Sequence, residues 1–404
     1  MKFLICFALV GASVAALAQS PNLDTDTYAK VEAMGKVVEA QNKFGAQLFT
    51  ELTKADQKNA FLSPLSASLA LSMAASGARG ETAAAMAKAL QLTGVSSQDV
   101  STGSGFLIKS LAQTTDGFTL QIADSIWIKQ GFPVYPAFIT NAQDNFQAEV
   151  QSLDFRAPKA AATINSWVDQ KTNHKINSIV PDPLPVDSRV ILVNAVYLKA
   201  DWLTPFNANN TGDQPFTVEN GSQKQVKTMF KTSSFNYTET PDYQAIELPY
   251  KGNAASMLVI LPKQDKFSAV ATTLSTTLIS DVTAALEGKT AVYGSLSMPK
   301  FTMSTMMDLT SPLADMGMAL AFSAQADFGA LSSAAVNISD VVQKVYVAVD
   351  EKGTEAAAVT GITLGAASVP PPPKFKMVVN RPFFVVIKAK PSNAVLFEGR
   401  VTSP

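Results

Sequence analysis

Few side chains in this sequence are equipped for covalent chemistry, and their counts exclude most of it. His174 is the only histidine and Cys6 the only cysteine among 404 residues. A zinc site built from His and Cys is excluded by number. A Ser-His-Asp triad would have to use His174, and no G-x-S-x-G elbow accompanies it. His174 lies in Lys171-Thr-Asn-His-Lys-Ile176, at the expected end of an amphipathic helix, where a solvent-facing residue is the expectation. Gly288-Lys289-Thr290 imitates the end of a phosphate loop, but Thr283 stands where the required glycine would be. A carboxylate pair is still open to acid–base work. The reading is nevertheless a protein that is not an enzyme and needs no metal or cofactor.

Charge excludes a second set of functions. Lys and Arg number 32 against 33 Asp and Glu, a net charge of −1. Phosphate affinity rests on clustered cations, so neither nucleic acid nor an anionic membrane is an expected partner, and no polyanion site stands out. With 16% charged and 47% hydrophobic residues the chain should fold as a globular protein, expected as a monomer. Met1-Lys2 precedes an apolar stretch, Phe3 to Ala18, closing in the small-x-small triplet Ala16-Leu17-Ala18. That is the form of a secretory signal over 1–18, leaving a domain over 19–404, secreted and extracellular. Its removal would take Cys6 with it, so the mature domain must rely on a large core rather than disulfides. Sequons at Asn209, Asn220, Asn236 and Asn337 fit the same route and mark candidate glycosylation sites.

The elements that must carry any function follow from periodicity. Helices are expected over Val37–Leu52, from Pro64 through Ala75, over Glu81–Leu90 and over Ala160–Ile176. Continuous β-branched and aromatic runs, Val190–Leu198, Ser256–Leu261 and Phe383–Ile387, read as strands buried on both faces. Helices early and strands late argue for an α+β fold.

The segment from Gly353 to Pro373 is rich in small residues and ends in four prolines. It resembles an interdomain linker, yet the tail Lys374–Pro404 is too short to fold alone and carries one of the most buried-looking strands. The segment is therefore a long surface loop within one domain, a place where a protease would cut. Asp350 to Ala358 alone has helical composition. At period two, Thr354, Ala356, Ala358, Thr360, Ile362 and Leu364 form one row, small first and apolar last, able to serve as a buried strand. A stretch that can be loop or central strand is a candidate two-state element.

With these residues on the page, the chain resembles a serpin from about residue 40 to its end. The likeness runs through Asn59-Ala-Phe-Leu-Ser-Pro-Leu-Ser66, Gly77-Ala-Arg-Gly-Glu-Thr82, Asn194-Ala-Val-Tyr-Leu-Lys-Ala-Asp-Trp202 with Phe206, and Pro299-Lys-Phe301. It continues in Leu313–Met318, Ala326-Asp-Phe328, Glu351-Lys-Gly-Thr-Glu-Ala-Ala-Ala358, Asn380-Arg-Pro-Phe383 and Leu396-Phe-Glu-Gly-Arg-Val401. The resemblance implies three β-sheets, eight or nine helices and an exposed reactive-centre loop over about 351–374. On this resemblance the loop is expected to act as bait: a serine protease would attack it, and the cleaved loop would enter the main sheet as a new strand and drag the acyl-enzyme with it.

The resemblance assigns roles to individual positions. Glu351, Gly353, Thr354, Glu355, Ala356, Ala357, Ala358 and Val359 match the hinge: Gly353 lends backbone freedom, Thr354 enters first, and Glu355 faces outward. Lys300 is expected to pair with Glu351 where the loop enters, near Trp202. Ser63, Ser66 and Asn194 match the region where the sheet parts, and Gln343 stands where the family often has a histidine. The scissile bond of inhibitory relatives usually follows the seventeenth residue from the hinge glutamate, giving Ala367–Ser368, with Leu364, Ala366 and Val369 as other registers. No Lys or Arg lies between Lys352 and Lys374, which argues against trypsin-like targets. A small residue suits an elastase-like protease, and Leu364 a chymotrypsin-like one. A member without inhibitory function, a storage, carrier or chaperone protein, is the alternative reading.

Overall fold

The computed structural model describes residues 24–54, 58–112, 117–274, 277–354, 371–390 and 392–404. Helix α1 (Thr25–Thr53) starts where Asp24 caps it, the Asp24 Oδ1 accepting from Thr27 N at 2.8 Å. It buries Val31, Met34, Val37, Val38, Phe44 and Leu48 along one stripe. After β1 (Ala60–Leu62), Ser63 caps and Pro64 opens α2 (Pro64–Ala75), a helix apolar nearly all round and therefore buried. Then come α3 (Gly80–Ala89), α4 (Ser97–Leu111), β2 (Phe118–Lys129), α5 (Pro136–Phe146), β3 (Glu149–Leu153), α6 (Ala160–Lys171) and β4 (Val190–Asp201). The middle holds β5 (Gly212–Thr217), β6 (Gln223–Glu239), β7 (Tyr243–Pro249), β8 (Ala255–Pro262), α7 (Phe267–Leu274), α8 (Leu278–Leu286), β9 (Val292–Pro299) and β10 (Phe301–Asp308). The last part holds α9 (Thr310–Leu313), β11 (Val342–Val349), β12 (Gly353–Thr354), β13 (Lys376–Val378), β14 (Phe383–Ala389) and β15 (Val395–Val401).

These strands form two sheets. One has six strands in the order β10-β11-β12-β4-β2-β3. The other runs β1-β15-β14-β8-β7-β6-β9-β13, with β5 also on β6. The third sheet implied by the family is present but not separate. Strand β6 pairs with β9 through Thr228–Phe235 and with β7 through Asn236–Glu239, so a single strand belongs to two sheets. Nine α-helices are seen among the described residues.

Two large cores lie on either side of α2. Leu65 and Leu69 join Phe61, Val196, Leu198, Val345, Val347 and Phe383 in one; Leu71, Met73 and Ala74 join Phe44, Leu258 and Phe384 in the other. A third, smaller core sits on the outer face of the six-stranded sheet, where Ile164, Trp167 and Val168 of α6 cover Trp127, Val193 and Ala195. Alternation along β4 therefore serves two cores at once, its even residues facing α2 and its odd residues facing α6. Glu398 of β15 is fully buried near Gly45 of α1, and neither carboxyl oxygen has a hydrogen-bond partner among the described residues.

Three sequence expectations need correction. Helix α6 ends at Lys171 rather than Ile176: the Thr172 hydroxyl donates back to Val168 O, and Asn173 and His174 take positive φ of 50° and 61°. Helices α4, α5, α7, α8 and α9 lie outside the ranges that periodicity predicts. The order is also not helices first and strands last, since β2 precedes and α7–α8 follow the central strands.

Candidate functional site: the hinge and the strand seam

Strand β11 ends at Val349, and the chain turns back at once. Asp350 closes the turn, its Oδ1 accepting from Lys352 N at 2.8 Å and Gly353 N at 3.3 Å. The connection after β4 clasps this turn. Trp202 N donates to Lys352 O (2.6 Å), Trp202 Nε1 to Asp350 O (2.9 Å) and Phe206 N to Glu351 O (2.8 Å). Lys300 Nζ lies 2.8 Å from Glu351 Oε2, and Thr211 Oγ1 donates to Oε1 at 2.8 Å. Burial works to raise the Glu351 carboxyl, but these hydrogen bonds outweigh it and hold the group below its ordinary range.

Gly353 and Thr354 already form a strand, paired with Asp201 and Ala200 of β4 on one side and, at Thr354, with Val349 of β11 on the other. A Cβ on Gly353 would come within 2.0 Å of Ala200 O. The glycine is thus required here by close approach of two backbones, a reason that the sequence alone does not show. Thr354 is 1% exposed, and its Oγ1 shares a 2.7 Å hydrogen bond with the Tyr250 hydroxyl. Tyr250 in turn stacks on Trp202 with ring centroids 4.6 Å apart. Burial drives the Tyr250 phenol well above its usual range, so it stays neutral.

Below Thr354, among the described residues, no ladder joins β4 directly to β11; β12 is the strand between them. A cavity of about 150 Å³ lies along the lower seam, lined by Leu192 and Asn194 of β4, Val342 and Gln343 of β11, and Ala67 and Leu71 of α2. At its rim Gln343 bridges to the start of α2. Its Oε1 accepts from Ser63 N (2.8 Å), and its Nε2 donates to Ser63 O (3.0 Å) and Ser66 Oγ (3.4 Å). The Ser63 hydroxyl donates to Leu396 O at 2.7 Å, tying α2 to β15.

Asn194 does not join that network. Its Nδ2 donates to Asp124 Oδ1 of β2 at 2.5 Å, while Asn194 Oδ1 and Asp124 Oδ2 have no partner among the described residues. Burial pushes the Asp124 carboxyl up to about 7 against the bond from Asn194. Asp124 was missed in the sequence, although a lone acid in the apolar strand Phe118–Lys129 was a signal. Tyr250 and Thr211 were also missed, lying 104 and 140 residues from their partners Thr354 and Glu351.

Glu355, Ala356, Ala357, Ala358, Val359, Leu364, Ala366, Ala367, Ser368 and Val369 lie outside the described residues. The chain is described again from Pro371. Lys374 N donates to Tyr293 O, and Phe375 stacks on Tyr237 at 3.7 Å over Gly294, where a side chain would collide with its ring. Hinge and exit are thus held on different sheets. His174, outside this site, is 73% exposed with Nδ1 2.6 Å from Asp169 Oδ2. Of the sequon residues, Asn209, Asn220 and Asn337 are exposed. Asn236 is half-buried and donates to Glu247 Oε2 at 2.9 Å, so its amide is already engaged within the protein.

Comparison with known proteins agrees with this arrangement. The family model described as Serpin (serine protease inhibitor) matches residues 39–404. The chain is 35% identical to the leukocyte elastase inhibitor of Bos taurus over 384 residues, covering 92% of this chain and all of that protein. Serpin48 of the insect Tenebrio molitor superposes with a TM-score of 0.79 at 31% identity, covering 91% and 98% of the two chains. Human thyroxine-binding globulin does so with 0.83 at 27%, covering 92% and 99%. A strand-loop-strand hinge seated in an open sheet, on a fold matched over nearly its whole length, places the chain in the serpin family. That family includes protease inhibitors, as its description and the name of the bovine relative say, and also binding proteins such as thyroxine-binding globulin.

Proposed function

We propose that this protein is a suicide-substrate inhibitor of a serine protease, elastase-like by preference, cut at Ala367–Ser368 and inserting its loop between β4 and β11. The observation that carries the reading is the seating of Gly353–Thr354 at the head of a seam whose lower part is a cavity. Continuing the Thr354 register sets Ala356 opposite Leu198 and Val347, Ala358 opposite Val196 and Val345, and Thr360 opposite Asn194 and Gln343. Ile362 and Leu364 then arrive opposite Leu192 and Val190, which line the cavity. The partners on β11 that face this row, Gln343, Val345, Val347 and Val349, are all buried. Small residues thus pass the crowded part of the seam and large ones fill the open part. Burying Ile362 and Leu364 contributes about 1.5–3 kcal/mol each, and every ladder bond about 0.5–1.5 kcal/mol.

The elastase preference draws on the small residue at 367, the absence of Lys and Arg between Lys352 and Lys374, and the name of the bovine relative. Secretion through a signal over 1–18, and modification at exposed Asn209, Asn220 or Asn337, belong to the same proposal. Incubation with a panel of elastases and chymotrypsins, read on a denaturing gel, tests it. A covalent band at the summed mass with cleavage after Ala367 is expected. Cleavage without that band, and without a rise in melting midpoint on nicking, would replace it by a carrier reading, in keeping with the thyroxine-binding neighbour.

A further inference from the structure

Strand β6 carries a cation that the inhibitory reading does not use. Lys231 is half-buried on β6, with its Nζ 5.5 Å from the Phe206 ring centroid and 5.8 Å from that of Phe235. Its single hydrogen bond among the described residues is to Thr204 O at 2.6 Å, and no carboxylate there pairs with it. An ammonium has three donors, so two are left to point elsewhere. Beside it is a recess of about 170 Å³, lined by Leu203, Phe206, Leu248 and Pro249 and by the polar Ser233 and Asn236. One water needs only about 10–15 Å³ of such space, so the recess takes a small organic molecule.

We propose that this recess is a binding site for a short-chain aliphatic carboxylate, its head on Lys231 and its tail against Leu203, Phe206, Leu248 and Pro249. Charge and shape select this class. A lone ammonium balances one negative charge, whereas phosphate needs more cations or a set of backbone donors. Leu203, Phe206, Leu248 and Pro249 offer a hydrocarbon tail one apolar wall in a recess that is otherwise largely polar. Glu247, the one acid lining the recess, is already engaged by Asn236 at 2.9 Å and Lys390 at 3.3 Å, so its charge does not cancel that of Lys231. Burial lowers the Lys231 ammonium to about 8; an anion beside it reverses that cost. The site is adjacent to the hinge clasp: Phe206 packs edge-on against Trp202 at 6.5 Å, and Trp202 stacks on the Tyr250 that holds Thr354.

Hexanoate, hexanol and inorganic phosphate are titrated into the intact protein by calorimetry and thermal melting, which need no protease and stand apart from the inhibitory reading. Hexanoate should bind saturably and raise the midpoint by about 3 °C at a hundredfold excess over Kd. Hexanol and phosphate should bind at least tenfold more weakly. Lys231→Met, which keeps the stem and drops the charge, should lose hexanoate at least tenfold, while Lys231→Arg, which keeps the charge, retains it. Absent saturable hexanoate binding, equal binding of hexanol, tighter binding of phosphate, or undiminished binding by a folded Lys231→Met variant would each overturn the proposal.

Discussion

Replacing Asp124 by asparagine should stabilise this protein in a way that depends on pH. The Asp124 carboxyl is 3% exposed, has one hydrogen bond, from Asn194, and is pushed from an ordinary 3.8 up to about 7. Because the folded value lies above the unfolded one, the unfolded chain releases this proton first as pH rises. Stability is therefore lost progressively between about pH 4 and pH 7, and the full penalty persists above. At 1.36 kcal/mol per unit the loss is about 4 kcal/mol at pH 8 and under half of that at pH 5. Asparagine keeps an acceptor for Asn194 and cannot ionise. Asp124→Asn should thus gain about 3 kcal/mol more at pH 8 than at pH 5. For a chain of this length that corresponds to about 4 °C in melting midpoint. The assay is a melting series of both proteins from pH 4.5 to 8.5. An equal offset at every pH would mean that Asp124 is not the group that titrates, and the account of a desolvated acid beside the seam would be wrong.

Two further outcomes test the neighbouring inferences. Ala358→Arg would place a charge opposite Val196 and Val345 if the loop inserts in the Thr354 register; loop-nicked variant should show none of the midpoint rise of nicked wild type and no covalent band with a protease, and a normal rise would refute the register. Glu398→Met should stabilise most above pH 8, because burial pushes Glu398 from 4.5 up to about 8 and its unpaired oxygens are removed as well. The same linkage gives about 5 kcal/mol at pH 9 against about 1 kcal/mol at pH 5, so a pH-independent change in melting would reject it.

What could be read from the sequence was what short-range pattern encodes. The central strands at Val190, Ser256 and Phe383 and the start of α2 at Pro64 were legible, because unbroken β-branched runs and a Ser-Pro step carry their own signal. Helix α4 was not, since Gly103 and Gly105 lower its helical propensity. They are there for packing: a side chain at Gly103 would come within 2.5 Å of Ala33 O, and one at Gly105 within 3.0 Å of Asn145 O. At the site, Lys300 and Glu351 came through family likeness, and the structure sets them 2.8 Å apart. Asn194, matched with Ser63 and Ser66 to the parting of the sheet, does line the seam cavity with Gln343, but its hydrogen bond goes to its register partner Asp124, which strand register alone decides. Long-range partners such as Tyr250 and Thr354 leave no trace in local periodicity.

Forming a new strand normally begins with its least favourable step, fixing the first residues before any neighbouring bond rewards them. Here that step is complete in the intact molecule, because Gly353 and Thr354 are held by backbone bonds and by one phenol. If the loop inserts as proposed, its severed form has no starting point to search for and extends a zipper whose first teeth are engaged. Its pace would then be set by how each later residue fits the gap between β4 and β11, so substitutions along the gap should alter the pace of insertion more than those at its head.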